Sequence, residues 1–177
     1  MDYMLKPDDL VGVTFWIISV AMIASTAFFF LEANSVGKHW GTSVRVAGLV
    51  TLIAAVHYYY MRHVWISTGE NPNVYRYIDW LLTVPLQMVE FYLILAAVGA
   101  ATAGMFWRLL IGTLVMLTAG YLGEAGSINA TVGFIVGIAG WIYILYEVFA
   151  GEAAQASAAS NSAAQKSAFS AMKWIVS

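Results

Sequence analysis

Cysteine is absent from this chain of 177 residues, and charged side chains make up only 10% of it. Without cysteine there is no disulfide, no thiol nucleophile and no cysteine metal site, and the sequence predicts no other metal site. Soluble domains carry roughly a quarter charged residues, so this scarcity, together with 61% hydrophobic residues, indicates a membrane protein. A net charge of −2 without a basic block argues against nucleic-acid binding.

The sequence contains several long stretches of apolar residues with few charges. A membrane-spanning helix needs about 20 mostly apolar residues. Five stretches meet this requirement, and helices are predicted at 10–33, 40–62, 74–98, 106–123 and 126–149. Residues 163–177 become apolar again and predict the start of a sixth helix, after a polar, flexible stretch from Gly151 to Ser162. The sequence thus predicts an all-α membrane protein in which residues 1–177 form a single transmembrane helical domain.

The basic residues predict the orientation, because connections on the inner side of a membrane are rich in lysine and arginine. With the N-terminus outside, the inner connections hold Lys38, Arg45, Arg108, Lys166 and Lys173. The outer side then holds Lys6, Arg62 and Arg76. The acidic start of the chain, MDYMLKPDD, lacks a basic region and does not predict a secretory signal. The pattern favours a multi-pass protein with its N-terminus outside.

Five polar residues stand out in the third predicted helix: Arg76, Asp79, Thr83, Gln87 and Glu90. At about 100° per residue they share one helix face roughly 100° wide. Ionisable groups inside a bilayer cost roughly 2.5–3.5 kcal/mol each, so this face is expected to line a protein interior or a wet cavity. Asp79 and Glu90 are 11 positions apart (90 − 79), or about 16 Å of rise. One carboxyl group then lies nearer each water phase, as a proton relay requires.

The surroundings of the two carboxyl groups predict different roles. Arg76 lies one turn from Asp79, and a neighbouring cation favours the carboxylate form, which suits a proton acceptor. Glu90 has mainly apolar neighbours, and desolvation favours the protonated form, which suits a proton donor. In the alternative interpretation these groups only join packed helices. His57, in the second helix, can titrate near neutral pH or can be an interfacial residue beside Tyr58.

The stretch RYIDWLLTVPLQMVEFYLIL at 76–95 resembles the third helix of microbial rhodopsins, and specifically of the proteorhodopsins. Similar matches are HYYYMRHVWISTGENPNVYRYIDW at 57–80, LLIGTLVMLTAGYLGEAG at 109–126 and WIYILYEVFAGE at 141–152. The resemblance extends over nearly the whole chain. It implies a bundle of seven transmembrane helices, of which this chain supplies helices one to five and the start of six.

The resemblance also implies retinal as the cofactor and a light-driven outward proton pump in a bacterial inner membrane, which is an ion transporter and not an enzyme. Asp79 matches the family's counterion and primary proton acceptor, and Glu90 matches its cytoplasmic proton donor. Arg76 matches the arginine that tunes the acceptor, and Thr83 matches the threonine of the Asp-Thr-Glu motif. His57 resembles the histidine that pairs with the acceptor aspartate and raises its pKa.

Other positions match the family's retinal pocket, namely Trp80, Thr83, Gln87, Met116 and Trp141. Glutamine at position 87 is the mark of blue-absorbing members, whereas leucine marks green-absorbing ones. In the family's ring oligomers, which are pentamers or hexamers, a tryptophan of the neighbouring protomer reaches the histidine. Trp40 is the matching candidate for this contact with His57.

One family feature has no match in this sequence. The family binds retinal through a lysine in the middle of its seventh helix. The lysines of this chain are Lys6, Lys38, Lys166 and Lys173, and none is predicted at mid-membrane. We therefore interpret the sequence as the first five helices and the start of the sixth, without the retinal lysine.

Two other functions stay open at this point. A sensory photoreceptor of the same family would need a surface that binds a transducer. A non-photoactive polytopic membrane protein with a buried polar site would not bind retinal at all. The combination of Asp79 with Glu90 favours the outward proton pump.

Overall fold

The computed structural model describes residues 4–177, and this part of the chain folds into seven α-helices. They are α1 (Leu10–Glu32), α2 (Gly41–Thr68), α3 (Asn73–Ala96), α4 (Ala103–Glu124), α5 (Ala130–Phe149), α6 (Glu152–Ala159) and α7 (Ala163–Val176). Five helical segments are long and apolar enough to cross a membrane, as the apolar runs predicted. The first three residues of the predicted domain lie outside the described residues.

Several helix boundaries differ from the predicted ones because local capping decides where each helix begins and ends. The second helix continues to Thr68 and stops at Gly69, whose φ of +72° is a left-handed conformation that glycine adopts without strain. The fifth helix begins at Ala130, where the Asn129 side chain accepts from the backbone N–H groups of Thr131 and Val132.

The stretch from Gly151 to Ser162, predicted to be flexible, contains the helix α6, and in this respect the prediction was wrong. Alanine has the highest helix propensity, and the low-complexity sequence EAAQASAA of α6 is rich in it. Tertiary contacts also hold the helix, because Ala153 is fully buried and its N–H donates to Glu147 Oε1 at 3.3 Å. The polar, low-complexity composition of this stretch was therefore not sufficient evidence that it is flexible.

Consecutive long helices pack against each other in chain order, and the short turns between them make neighbours antiparallel. The starts of α1, α3 and α5 lie at one end of the bundle, here called the amino-terminal end. The ends of these helices, together with α6 and the start of α7, lie at the opposite end. The backbones of α4 and α5 approach so closely that a Cβ at Gly133 would lie 2.8 Å from the Ala119 carbonyl oxygen.

The apolar core lies in the half of the bundle nearer the opposite end. It contains Met88, Phe91, Ile94, Leu95, Met105, Leu109, Ile144, Val148, Ala153, Phe169 and Met172. By contrast, large apolar side chains on the outer faces of α1 and α5, such as Ile17 and Phe134, are exposed. This distribution suits a bundle whose outer surface faces lipid instead of water.

Candidate functional site

The Asp79 carboxyl group is buried in the middle of the bundle. It lies in the second turn of α3, and the residue is only 2% exposed. Its Oδ1 atom is 3.5 Å from Nδ1 of His57 on α2, and within residues 4–177 it has no hydrogen-bond partner. His57 Nδ1 also lies 2.9 Å from the Ile53 carbonyl oxygen. The imidazole is thus held by its own helix and offers Asp79 a contact longer than a normal hydrogen bond.

Thr83 lies one turn after Asp79 on the same face and is also buried. Its hydroxyl donates to the backbone carbonyl oxygen of Asp79 at 3.0 Å. This bond inside α3 occupies the only donor of the threonine. The Asp79 carboxyl group therefore depends on His57, and not on Thr83, for its protein contact.

A cavity of about 850 Å³ opens beside Asp79 between α3, α5 and the end of α7. Its polar lining includes Asp79, Thr83 and Gln87, and its walls include Trp80, Met116 and Trp141. Trp141 is fixed in place because its Nε1–H donates to the Val176 carbonyl oxygen at 3.2 Å. The structure thus brings all five of the predicted pocket residues to one cavity.

A second cavity of about 350 Å³ lies between α3, α4 and α5. It shares Trp80, Met116 and Trp141 with the first cavity. Its other walls include Tyr77, whose ring packs edge-on against Trp80 with 5.3 Å between the centroids. The Tyr77 ring occupies the space that a Cβ at Gly120 would need, at 2.5 Å, so the glycine allows this aromatic wall to form.

Arg76 and Glu90 lie on α3 but outside the Asp79 contact. Within residues 4–177, Arg76 has no carboxylate within ion-pair distance. Arg76 therefore forms no ion pair with Asp79 in the described chain, and the side chain that lies beside the carboxyl group is His57 of α2. Glu90 is half-buried, directly before the core residue Phe91. It forms no hydrogen bond or ion pair with the described protein atoms.

Trp40 lies at the N-cap of α2, where it packs against the apolar core at the opposite end. His57 follows 17 residues later on the same helix (57 − 40), which corresponds to about 25 Å of rise. In a ring of identical subunits around an axis normal to the membrane, each residue keeps its depth. The predicted contact between Trp40 and His57 of a neighbour is thus at odds with this geometry.

A different tryptophan lies close to the depth of His57. Trp16 on α1 packs against Tyr59, with 6.4 Å between the ring centroids, and the guanidinium carbon of Arg62 lies 5.2 Å from its ring. Trp16 is also 44% exposed. The sequence did not identify Trp16 as a candidate partner of His57, because the depth of a side chain relative to another helix is a tertiary property.

A second charged cluster, at the opposite end, was missed by sequence reasoning. Arg108 on α4 donates from Nε and Nη2 to the buried Glu147 on α5, at 3.2 Å each, and it also binds Glu152 on α6. Thr102 donates to Glu152 as well. The sequence signal that could have predicted this cluster was Arg108 near the start of the fourth apolar span and Glu147 near the end of the fifth. Because consecutive helices are antiparallel, these two positions lie at the same end of the bundle.

No lysine of the described chain lines either cavity. Lys173 lies near the end of α7, with its Nζ 4.5 Å from the centroid of the Phe149 ring. Residues 4–177 also contain no cluster of histidine and carboxylate groups that could hold a metal ion. Lys6 and Lys38 lie outside the helices, and Lys166 lies in the first turn of α7.

The chain is similar to known proteins over nearly its whole length. Residues 9–177 match the family described as bacteriorhodopsin-like protein. A blue-light absorbing proteorhodopsin of Gamma-proteobacterium Hot 75m4 is 54% identical over 97% of this chain and 68% of its own length. The crystal structure of a blue light-absorbing proteorhodopsin from Med12 is 51% identical, with a TM-score of 0.80 over 96% of this chain and 75% of that one. Xanthorhodopsin, described as a light-driven ion pump with a dual chromophore, is 28% identical, with a TM-score of 0.78 over 95% of this chain and 74% of its own.

Proposed function

Because this chain belongs to the bacteriorhodopsin-like family, we propose that it is part of a retinal-binding, light-driven proton pump that moves protons outward across a bacterial inner membrane. The observation that carries this proposal is the buried Asp79 carboxyl group, whose Oδ1 atom has no hydrogen-bond partner in residues 4–177 and which opens onto a large cavity. Xanthorhodopsin, of similar fold, is described as a light-driven ion pump, which agrees with this function.

The residues around the cavity fit a retinal molecule. Trp80, Trp141 and Met116 offer apolar and aromatic walls to a polyene. The Asp79 carboxylate, whose contact with His57 is longer than a normal hydrogen bond, borders the cavity and offers a counterion to a cationic retinal linkage. When bound, retinal would supply light absorption and the isomerisation that drives the cycle. None of the lysines at positions 6, 38, 166 and 173 lines this cavity.

In this proposal Asp79 is the proton acceptor, and its Oδ1 atom would hold the transferred proton. His57, whose Nδ1 lies 3.5 Å from that atom, would position the carboxyl group for this transfer. Thr83 keeps the α3 backbone at Asp79 in position through its hydroxyl. Arg76, one turn towards the amino-terminal end, would favour release of the proton on that side by its charge.

Glu90 would be the donor that supplies the next proton from the opposite side. It lies about 16 Å along α3 from Asp79, beyond the cavity and next to the apolar core. A carboxyl group held among apolar residues is suited to keep a proton until a stronger base appears. With the N-terminus outside, this order of donor and acceptor makes the transport outward.

Gln87 lies on the cavity wall between the levels of Asp79 and Glu90. Its amide dipole would act on the polyene and stabilise the ground and excited states differently. This interaction would place the absorption in the blue, in line with the blue-absorbing proteorhodopsin that is 54% identical to this chain.

We further propose a homo-oligomeric ring of five or six copies in the bilayer. The predicted Trp40–His57 contact between protomers is not kept in this proposal, because the two residues lie about 25 Å apart in depth. A tryptophan that reaches His57 of a neighbour has to lie near its depth, as Trp16 does.

The direct test is a light-induced pH change in cells or vesicles that contain the full-length protein reconstituted with all-trans retinal. We expect acidification outside intact cells during illumination, and a protonophore should abolish it. An absorption band that hydroxylamine bleaches under light would report the retinal imine. A coloured protein that moves no protons would favour a sensory photoreceptor, and a colourless one would exclude retinal binding.

A further inference from the structure

Two buried polar side chains at the opposite end are not part of the Asp79 site. Gln165 on α7 is 0% exposed, and Ser157 on α6 is 6% exposed. Gln165 Nε2 donates to Ser157 Oγ at 3.2 Å, whereas its Oε1 has no hydrogen-bond partner in the described chain. Turning the amide over would let Oε1 accept from the serine hydroxyl and would leave Nε2 unpaired instead. In either orientation one end of the amide has no protein partner.

An unpaired end of this kind needs an explanation. Leaving a buried polar atom without a partner costs roughly 1–3 kcal/mol, and buried polar groups in native proteins are nearly always satisfied by protein or by ordered water. A hydrophobic side chain at position 165 would avoid this cost among the core residues Phe169 and Met172 on the same helix. The glutamine therefore marks a place where a water molecule is favoured.

The helix register puts this place next to the level of Glu90. Phe169, one turn after Gln165, packs its ring against Phe91 with 5.4 Å between the centroids. Phe91 directly follows Glu90 in α3. Gln165, four residues before Phe169, lies about 6 Å nearer the opposite end. The amide therefore lies on the side of Glu90 that faces the opposite end, from which Glu90 would regain its proton in the proposed function.

An open pocket of about 490 Å³ lies near the pair, at the turn between α6 and α7, and is lined by Ala156, Ser160, Asn161 and Ser162, among others. Ser162 caps α7 and its Oγ accepts from the backbone N–H of Gln165 at 3.2 Å. The helix turn that carries Gln165 is thus hydrogen-bonded to the polar lining of this open pocket.

We propose that Gln165 and Ser157 are positioning residues that hold water in the uptake path through which Glu90 regains its proton. This role rests on the proposed function, because it requires Glu90 as the donor. The water at the amide gives a proton to the Glu90 carboxylate and takes one from the next water towards the pocket. The amide and the hydroxyl orient these waters by hydrogen bonds and undergo no net change in protonation.

The test measures exchange at Glu90 in the dark, in the full-length protein reconstituted with retinal. After transfer into D₂O, the infrared carbonyl band of protonated Glu90 shifts as its proton exchanges. We expect this exchange to be slower by about tenfold or more in Gln165→Met, which keeps a similar shape without the amide. Ser157→Ala should slow it less. The rate of proton uptake after a light flash, followed with a pH-indicator dye, should fall in the same order.

Gln155 provides a matched control, since it is an exposed glutamine on α6 whose Nε2 donates to the Ala150 carbonyl oxygen. In Gln155→Met, the Glu90 proton should exchange at the wild-type rate. Azide, a small weak acid that carries protons, should restore uptake in Gln165→Met, which a defect in packing alone would not permit.

An unchanged rate in Gln165→Met would overturn the role of the pair, as would an equal slowing in Gln155→Met. If Gln165→Met does not fold, Ser157→Ala decides alone, and a wild-type rate there has the same consequence. A wild-type protein that moves no protons in light would overturn the proposed function itself, and this role with it.

Discussion

Asp79 on α3 and Glu147 on α5 are equally hidden, with 2% and 3% of their surfaces exposed, but their surroundings differ. Glu147 accepts hydrogen bonds from Arg108 and from the Ala153 backbone. Asp79 has only the 3.5 Å contact with His57 and borders a cavity. A buried charge with full pairing joins helices, whereas one that is incompletely paired beside a cavity is available for proton chemistry.

The strongest test of this contrast replaces each carboxylate by its amide. Asp79→Asn should reduce light-driven proton transport by roughly a hundredfold or more, because the amide cannot accept the proton, and it should shift absorption to the red. Glu147→Gln should leave transport largely intact. Light-induced pH changes in vesicles measure both. Undiminished transport in Asp79→Asn would refute the acceptor role.

Glu90 sharpens the contrast, because it is half-buried but has no charged partner among the described residues. Glu90→Gln should slow reprotonation by about tenfold to a hundredfold, since the amide has no carboxyl proton to give. The absorption maximum should stay near that of the wild type. Flash photolysis gives both values, and an unchanged photocycle would remove Glu90 as the donor.

The contrast also predicts where stability is lost. Glu147→Ala should lower the free energy of unfolding by about 2 kcal/mol, at the low end for a broken buried pair, because Arg108 is 36% exposed and can recover hydration. Thermal unfolding followed by circular dichroism measures this. Glu124→Ala, at an exposed position in the last turn of α4, is the control and should change little. If Glu147→Ala were as stable as the wild type, the ion pair would not hold α4 and α5 together.

A neutral polar group in the cavity allows a smaller test. Gln87→Leu should move the absorption to longer wavelength, because it removes an amide dipole beside the polyene, and proton transport should persist. An absorption spectrum of the purified protein measures the shift. The same maximum in both proteins would contradict the tuning role.

Another carboxylate, Asp9, is only partly buried, and the effect of replacing it should be the smallest. Hydrogen bonds from the Gly12 N–H and the Trp65 indole hold the pKa of Asp9 below its ordinary value. The contact between α1 and α2 is therefore present above about pH 4 and is lost as the pH falls through the lower folded pKa. Between pH 7 and pH 3, the unfolding temperature of Asp9→Ala should change slightly less with pH than the unfolding temperature of the wild type. An identical pH dependence would assign no stability to this contact.

Much of the site could be predicted from α3 alone. The spacing of Asp79, Thr83, Gln87 and Glu90 follows the 3.6-residue period, so their common face is a local property. Partners from other helices could not be predicted in the same way. Arg76, the nearest cation in sequence, is not paired with Asp79 in the structure, whereas His57, 22 residues earlier (79 − 57), lies at 3.5 Å.

The sequence by itself determined the membrane helices and the polar face of α3, because apolar length and helical period are both encoded within about 20 neighbouring residues. Only the tertiary structure decided that Arg108 binds Glu147 and that Gln165 meets Ser157. Each of these contacts depends on the rotation and depth of one helix relative to another. Inter-helix packing sets those quantities, and no local pattern carries them.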